Sequence, residues 1–262
     1  MTSGRKFSGI NQVQLNHELR EWFNDGAGVG LRKAELELAA EILPDLFGYH
    51  IVQLGSAVSN EFLATSRISH AIVVESKTLE DSNIALVGES EALPIAAGTI
   101  DVVLAPHALE FSRDPHTVLR EAERVLIGEG YIVIIGFNPW SLCGAFRALA
   151  RWRGKPPWNG QFLSMTRIKD WLKLLGFEIE YLKKISFRPP IRSRGISTKL
   201  GFMEPLGAVC WSTFGNVYVV VAKKRVVAVT PLKASWKTKR RLVTSGVVEP
   251  STRAQDSRRI NP

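Results

Sequence analysis

Cysteine is nearly absent. Only Cys143 and Cys210 occur in 262 residues, far apart and without metal-ligand spacing. That excludes a disulfide framework and a cysteine-based metal site, and it suits two reduced thiols in a cytoplasmic protein. Long apolar runs are also missing. No stretch approaches the roughly 20 residues that a membrane-spanning helix needs. The N-terminus, MTSGRKFSGINQVQLNHELREWF, has no apolar segment of the signal-peptide kind. Internal repeats and the signatures of nucleic-acid-binding modules are lacking too. The body of the chain has no excess charge. From Lys223 onward eleven Lys/Arg face only Glu249 and Asp256, which accounts for the whole net charge of +9. The globular part is therefore neutral, and the basic balance describes a tail rather than a site.

What is present is ordinary globular material, 45% hydrophobic and 23% charged, enough for one sizeable core plus a tail. The chain is organised around Ala85–Pro139. Three apolar runs, Ala85–Gly88, Ile100–Ala105 and Tyr131–Gly136, are short, rich in Val and Ile, and bounded by Gly, Pro or Asp. That pattern predicts strands buried on both faces. Between the last two lies Pro115–Ile127, with Val118, Leu119, Ala122, Val125 and Leu126 at helical spacing. Asp114 is a suitable N-cap, Pro115 suits the first helical position, and Gly128 a stop. Strand, helix and strand together make a crossover, the unit of a parallel sheet.

Within this stretch GESEALP, TIDVVLAPHALEF and DPHTVLREAERVLIGEGYIVI follow one another. In order and spacing they resemble the core of class I S-adenosylmethionine (SAM) methyltransferases of the type 11 kind. Weaker similarity over Trp22–Leu232 is to an uncharacterised bacterial branch of that superfamily. The resemblance implies an α/β, Rossmann-like fold: a seven-stranded, mostly parallel sheet closed by a C-terminal antiparallel hairpin strand. It also implies SAM as methyl donor and a methyl acceptor, expected to be a small molecule. On this reading residues 1–30 are an N-terminal extension or cap, 31–232 the methyltransferase-like domain, and 233–262 a basic, disordered tail.

The same resemblance assigns roles. Gly55, after the predicted first strand His50–Leu54, and Ala105, at the end of the fourth, would hold the methionine part of SAM. Glu75, ending the second strand, would accept from the ribose hydroxyls; otherwise it is a solvated acid. Glu89 and the Ser90 backbone would meet adenine, with Glu91 capping or facing solvent. Asp101 is expected to be structural. His107 is placed either as an acceptor-side general base or as a histidine hydrogen-bonded in a strand-end loop; His116 is expected on the surface. Two departures stand out. Ser56, Ala57, Val58 and Ser59 follow Gly55 where the family has a glycine-rich loop, and Phe111 stands where it has histidine. They keep open a second function, a catalytically degenerate methyltransferase-like module for binding or regulation.

The remaining chain is less specific. Leu15–Asn24 and Leu31–Leu43 are predicted helices, separated by a break at Asp25–Gly30. They either fold over the cofactor or simply cover the sheet. Leu142, Ala145, Phe146, Leu149 and Trp152 recur at helical spacing opposite Arg147, Arg151 and Arg153. That basic amphipathic segment can be a substrate lid, an interfacial patch or plain packing. Met165–Leu175 is a further helix, and Phe177–Ser186 and Asn216–Arg225 the last strands. Arg188, Arg192 and Arg194 either hold an anionic substrate or coat a loop. The tail either contacts nucleic acid or an anionic surface, or only aids solubility.

Overall fold

The short Val- and Ile-rich runs become strands of one sheet in a computed structural model. It describes residues 12–25, 27–55, 61–76, 86–150, 155–187 and 214–226, all within the unit Met1–Val226. Helices α1 (Gln12–Asn24) and α2 (Ala27–Ile42) precede β1 (His50–Leu54). Then come α3 (Glu61–Ala64), β2 (His70–Glu75), β3 (Leu86–Val87), β4 (Ile100–Pro106), α4 (Ala108–Phe111), α5 (Pro115–Val125) and β5 (Leu126–Phe137). Helices α6 (Leu142–Ala150) and α7 (Met165–Leu174) lead to β6 (Phe177–Ile185) and β7 (Val217–Lys224). The strand order is β3-β2-β1-β4-β5-β7-β6. Strands β1 to β5 pair in parallel, and β7 runs antiparallel to both β5 and β6. This is the seven-stranded sheet with its antiparallel hairpin that the motifs implied.

Alternate strand residues face opposite sides of a sheet, and here both sides are apolar. Ile51, Val102, Leu104, Val133, Ile135 and Val219 share one core with Leu15, Leu19 and Phe23 of α1 and Leu31, Leu38 and Ile42 of α2. Val52, Val103, Ala105, Ile132, Ile134 and Val220 share the other with Val118, Leu119 and Ala122 of α5 and Ile168 and Leu172 of α7. Asp101 fulfils its structural expectation: its Oδ2 accepts from the backbone N–H groups of Tyr49 at 3.0 Å and His50 at 2.9 Å. Asp114 caps α5, accepting from His116 N at 3.0 Å.

Several boundaries differ from expectation: α1 begins at Gln12, and β5 begins at Leu126, so Gly128 lies within the strand rather than ending the helix. The crossover helix ends at Val125, because Leu126 is already extended (φ −70°, ψ 137°) and pairs with Ile100. The supposed break at Asp25–Gly30 instead contains the first turn of α2. A side chain on Gly28 would sit 2.2 Å from the Trp22 carbonyl oxygen. The glycine thus marks a close helix–helix approach rather than a loop. Ser56–Ser59, the arginines 188, 192 and 194, Arg151–Arg153, Cys210 and the tail lie outside the described residues.

Candidate functional site

In an open parallel sheet, ligands gather where the strand order reverses, outside the carboxyl ends of the strands. Here that point lies between β1 and β4. A cleft of about 700 Å³, counting its open mouth, lies there and is lined from Leu54–Gly55, Glu75–Ser76, Gly88–Glu91 and Pro106–Ala108, with Asn16 and Leu19 of α1 above.

Gly55 leaves β1 in the left-handed region, φ +78°, with nothing within 4 Å of where a side chain would start. Conformation, not crowding, therefore favours glycine there. Its N–H donates to Val74 O at 2.9 Å, and Gly88 N donates to Glu75 O at 2.8 Å, which holds the three strand ends together. Glu75 is only 4% exposed, and Asn16 Nδ2 donates to its Oε1. Burial argues against the solvated-acid alternative. The adjacent Ser76 Oγ is buried without a hydrogen-bond partner and faces the same cleft.

Glu89 is exposed and Ser90 half-buried at the rim, in a turn closed by Ala92 N donating to Glu89 O at 3.0 Å. Glu91 caps: its Oε1 accepts from Arg113 N at 2.8 Å. Farther along, Leu93 N donates to Glu121 at 3.0 Å, and the Arg124 guanidinium donates to the carbonyls of Ile95 and Leu93 at 2.9 and 3.0 Å. The hydrogen bonds from Arg124 hold the Glu121 carboxyl below the usual range. Helix α5 thereby fixes the turn that carries Glu89 and Ser90.

Ala105 is buried in β4 opposite Ile134, and its side chain belongs to the α5 core. The cleft wall at this strand end is Pro106, His107 and Ala108.

His107 itself is left-handed, φ 55°, an uncommon conformation for a residue other than glycine. Its ring has no exposed surface. Nε2 is 3.1 Å from Glu35 Oε1 of α2, and Nδ1 is 3.4 Å from Glu110 Oε2 of α4. The latter is an ion-pair distance, not a well-aligned hydrogen bond, and Nδ1 is without a hydrogen-bond partner. Phe137 and Phe23 flank the ring, with centroids 4.2 and 5.3 Å away. Burial disfavours the charged imidazole, but the two carboxylates outweigh it and push the pKa up to about 10. Glu35 is raised by burial against the opposing pull of His107. The cluster is one buried imidazole held between two acids, with His107 and Glu35 shifting each other's titration. His116 is exposed, its ring tilted by 44° against that of Trp171 with centroids 3.7 Å apart.

Asn16, Ser76 and Glu35 did not emerge from the motifs. Asn16 and Glu35 nevertheless leave a trace in the sequence. Each is a polar residue inside an apolar helical stripe: Asn16 beside Leu15 and Leu19, Glu35 between Leu31 and Ala39. Other chemistries find little support. Cys143 is buried, its thiol pushed up by burial to about 12. No group of three or more His, Cys, Asp or Glu able to hold a metal occurs among the described residues. Nor is any helix among them long and apolar enough to cross a membrane.

An acid and an unsatisfied hydroxyl stand at one level of the cleft, a left-handed glycine at the adjoining strand end, and an acid with a turn amide at the rim. Residues 48–134 match the family described as "Methyltransferase domain". The Escherichia coli (strain K12) protein described as "Uncharacterized protein YafS" is 31% identical over 192 residues, 72% of this chain and 75% of that one. In fold, the chain is similar to a SAM-dependent methyltransferase of Thermotoga maritima. The TM-score is 0.58 at 18% identity, over 81% of this chain and 97% of that one. It is also similar to a SAM-dependent methyltransferase of Mesorhizobium loti, with a TM-score of 0.50 at 15% identity over 72% and 96% of the two chains.

Proposed function

Because the chain belongs to the class I SAM-dependent methyltransferase superfamily, with SAM as the methyl donor, we propose how its cleft divides the work and what it methylates. Gly55 and the end of β4 at Ala105–Pro106 receive the methionine part. Glu75 and Ser76 take the ribose hydroxyls, a carboxylate accepting from them and a hydroxyl completing the set. Glu89 and the Ser90 N–H read the adenine edge. Asn16, from the N-terminal cap segment, orients the Glu75 carboxylate and closes the ribose end. The observation that carries this is Glu75 itself, buried at the switch point, held by Asn16 and next to the unpartnered Ser76 Oγ.

SAM supplies an electrophilic methyl on a sulfonium, displaced in line by the acceptor. The protein's contribution is then chiefly approximation and exclusion of water. No proton need be taken by His107, and we assign it a positioning role. As a buried imidazolium it ties α2 to the β4 end and α4, and so shapes the wall from Pro106 to Phe111. The acceptor enters beside Phe111, where the loop at Gly160 packs against the phenyl ring. An apolar small molecule suits that wall, in a cytoplasmic setting.

The test is transfer of labelled methyl from SAM into small-molecule extracts. Label entering an organic-soluble product, at least tenfold less with Glu75→Ala, is expected. Label entering only protein or nucleic acid would contradict a small-molecule acceptor. No transfer to any fraction would favour the degenerate module.

A further inference from the structure

We propose that Trp140 and the outer face of α6 form a docking surface for an anionic lipid bilayer, an interaction that stands whether or not the cleft transfers a methyl group. Trp140 is 71% exposed, Leu142 40%, Phe146 45% and Leu149 78%. Leu142, Phe146 and Leu149 recur at helical spacing on one side of α6. Contiguous exposed side chains of this size mark a surface that has a partner.

The opposite side of α6 is anchored. Cys143 is 2% exposed, and its N–H donates to Asn216 Oδ1 at 3.1 Å. Ser141 Oγ donates to Asn138 O at 2.7 Å, and Gly144 N donates to Ser141 Oγ at 3.1 Å. Arg147 Nε donates to Gly160 O at 2.9 Å, its guanidinium 5.0 Å from the Phe162 ring. Turning the apolar side inward would break the Cys143–Asn216 and Arg147–Gly160 contacts, so it faces outward by construction.

Charge identifies the partner. Between Gly130 and Lys169 there is no Asp or Glu, while Lys155, Arg167 and Lys169 are basic, as are Arg151 and Arg153 next to α6 in the sequence. Trp, Leu and Phe beside Arg and Lys is the composition of interfacial helices, whose apolar side enters the headgroup boundary while the cations meet anionic lipid. A second copy of this chain would bring like charges together and is disfavoured. The helix follows β5, and the loop at Gly160 that Arg147 holds also packs on Phe111 of the cleft wall. Docking through α6 therefore places a bilayer on the acceptor side.

The full-length protein should be sedimented with phosphatidylcholine vesicles, with or without about 30 mol% phosphatidylglycerol. The comparison protein is Trp140→Ser/Phe146→Ser/Leu149→Ser. Association only with the anionic vesicles, weakened by salt and reduced about tenfold in the triple variant, is expected. Leu149→Asp, at a position too exposed to unfold the chain, should reduce it in the same direction. Absence of binding by the unaltered protein would overturn the proposal. So would binding that both variants retain, which would assign it to the basic residues after Val226. A dimer that the triple variant disperses, without vesicle binding, would assign the surface to self-association instead.

Discussion

His107 is a chemical group whose neighbours decide its use. Its ring is wholly buried between Glu35 and Glu110, and its pKa is pushed up to about 10 by the two carboxylates, which favours the imidazolium at neutral pH. Removing it leaves two buried acids without the cation between them. His107→Ala should cost about 3–5 kcal/mol of unfolding free energy, the usual cost of stranding buried charge. Glu35→Gln removes the larger of the two influences that raise His107 and should lower its pKa, read by NMR titration of the ring. The pH dependence has a definite sign. A histidine raised from 6.5 to about 10 stabilises fully below 6.5 and loses that contribution as pH climbs toward 10. Glu35, also raised, works in the same direction. Urea unfolding between pH 7 and 9 should therefore show stability falling by up to about 1.4 kcal/mol per unit more than in His107→Gln. Equal slopes would mean that the ring is neutral in the fold. At this scale the sequence was only partly legible. His107 could be singled out, but its partners come from helices 72 and 3 residues away in sequence. No local pattern pairs it with Glu35, whereas Glu110 lies at helical spacing, three residues on.

Helix α1 shows what an element adds. Leu15, Leu19 and Phe23 bury it in the sheet core, at roughly 1.5–3 kcal/mol for each such side chain. The same placement delivers Asn16 to Glu75, so roof and packing are one structure. Its hold on α2 depends on Gly28. Gly28→Val would drive a side chain into the Trp22 carbonyl and push the two helices apart. The expected result is a loss of about 1–3 kcal/mol, with weakened SAM binding from the displaced Asn16. A fully stable variant of unchanged affinity would show that α1 merely covers the sheet. Strands and the crossover helix were readable from apolar spacing, because burial on both faces leaves unbroken Val/Ile runs. The start of α2 was not, because glycine in a close helix contact looks like a loop signal.

Across the whole molecule, the order of the sheet followed from three adjacent motifs, and the site from where they end. Strand ends converge by topology, so Gly55, Glu75, Glu89 and Ser90 meet in one cleft although they are spread over 36 residues. Register alone puts the side chain of Ala105 into the α5 core, while the next three residues form the wall. The α6 surface was likewise visible as a basic amphipathic pattern. Its outward orientation was not, since it depends on Asn138, Asn216 and Arg147 anchoring the other side. The central claim is that this cleft holds SAM through Glu75. Calorimetric titration of SAM and its demethylated product into the full-length protein, alongside Glu75→Ala and Glu89→Ala, tests it most directly. Micromolar binding to the unaltered protein, weakened at least tenfold in both variants, is the predicted result. Binding that Glu75→Ala leaves unchanged, or none at millimolar ligand, would contradict it.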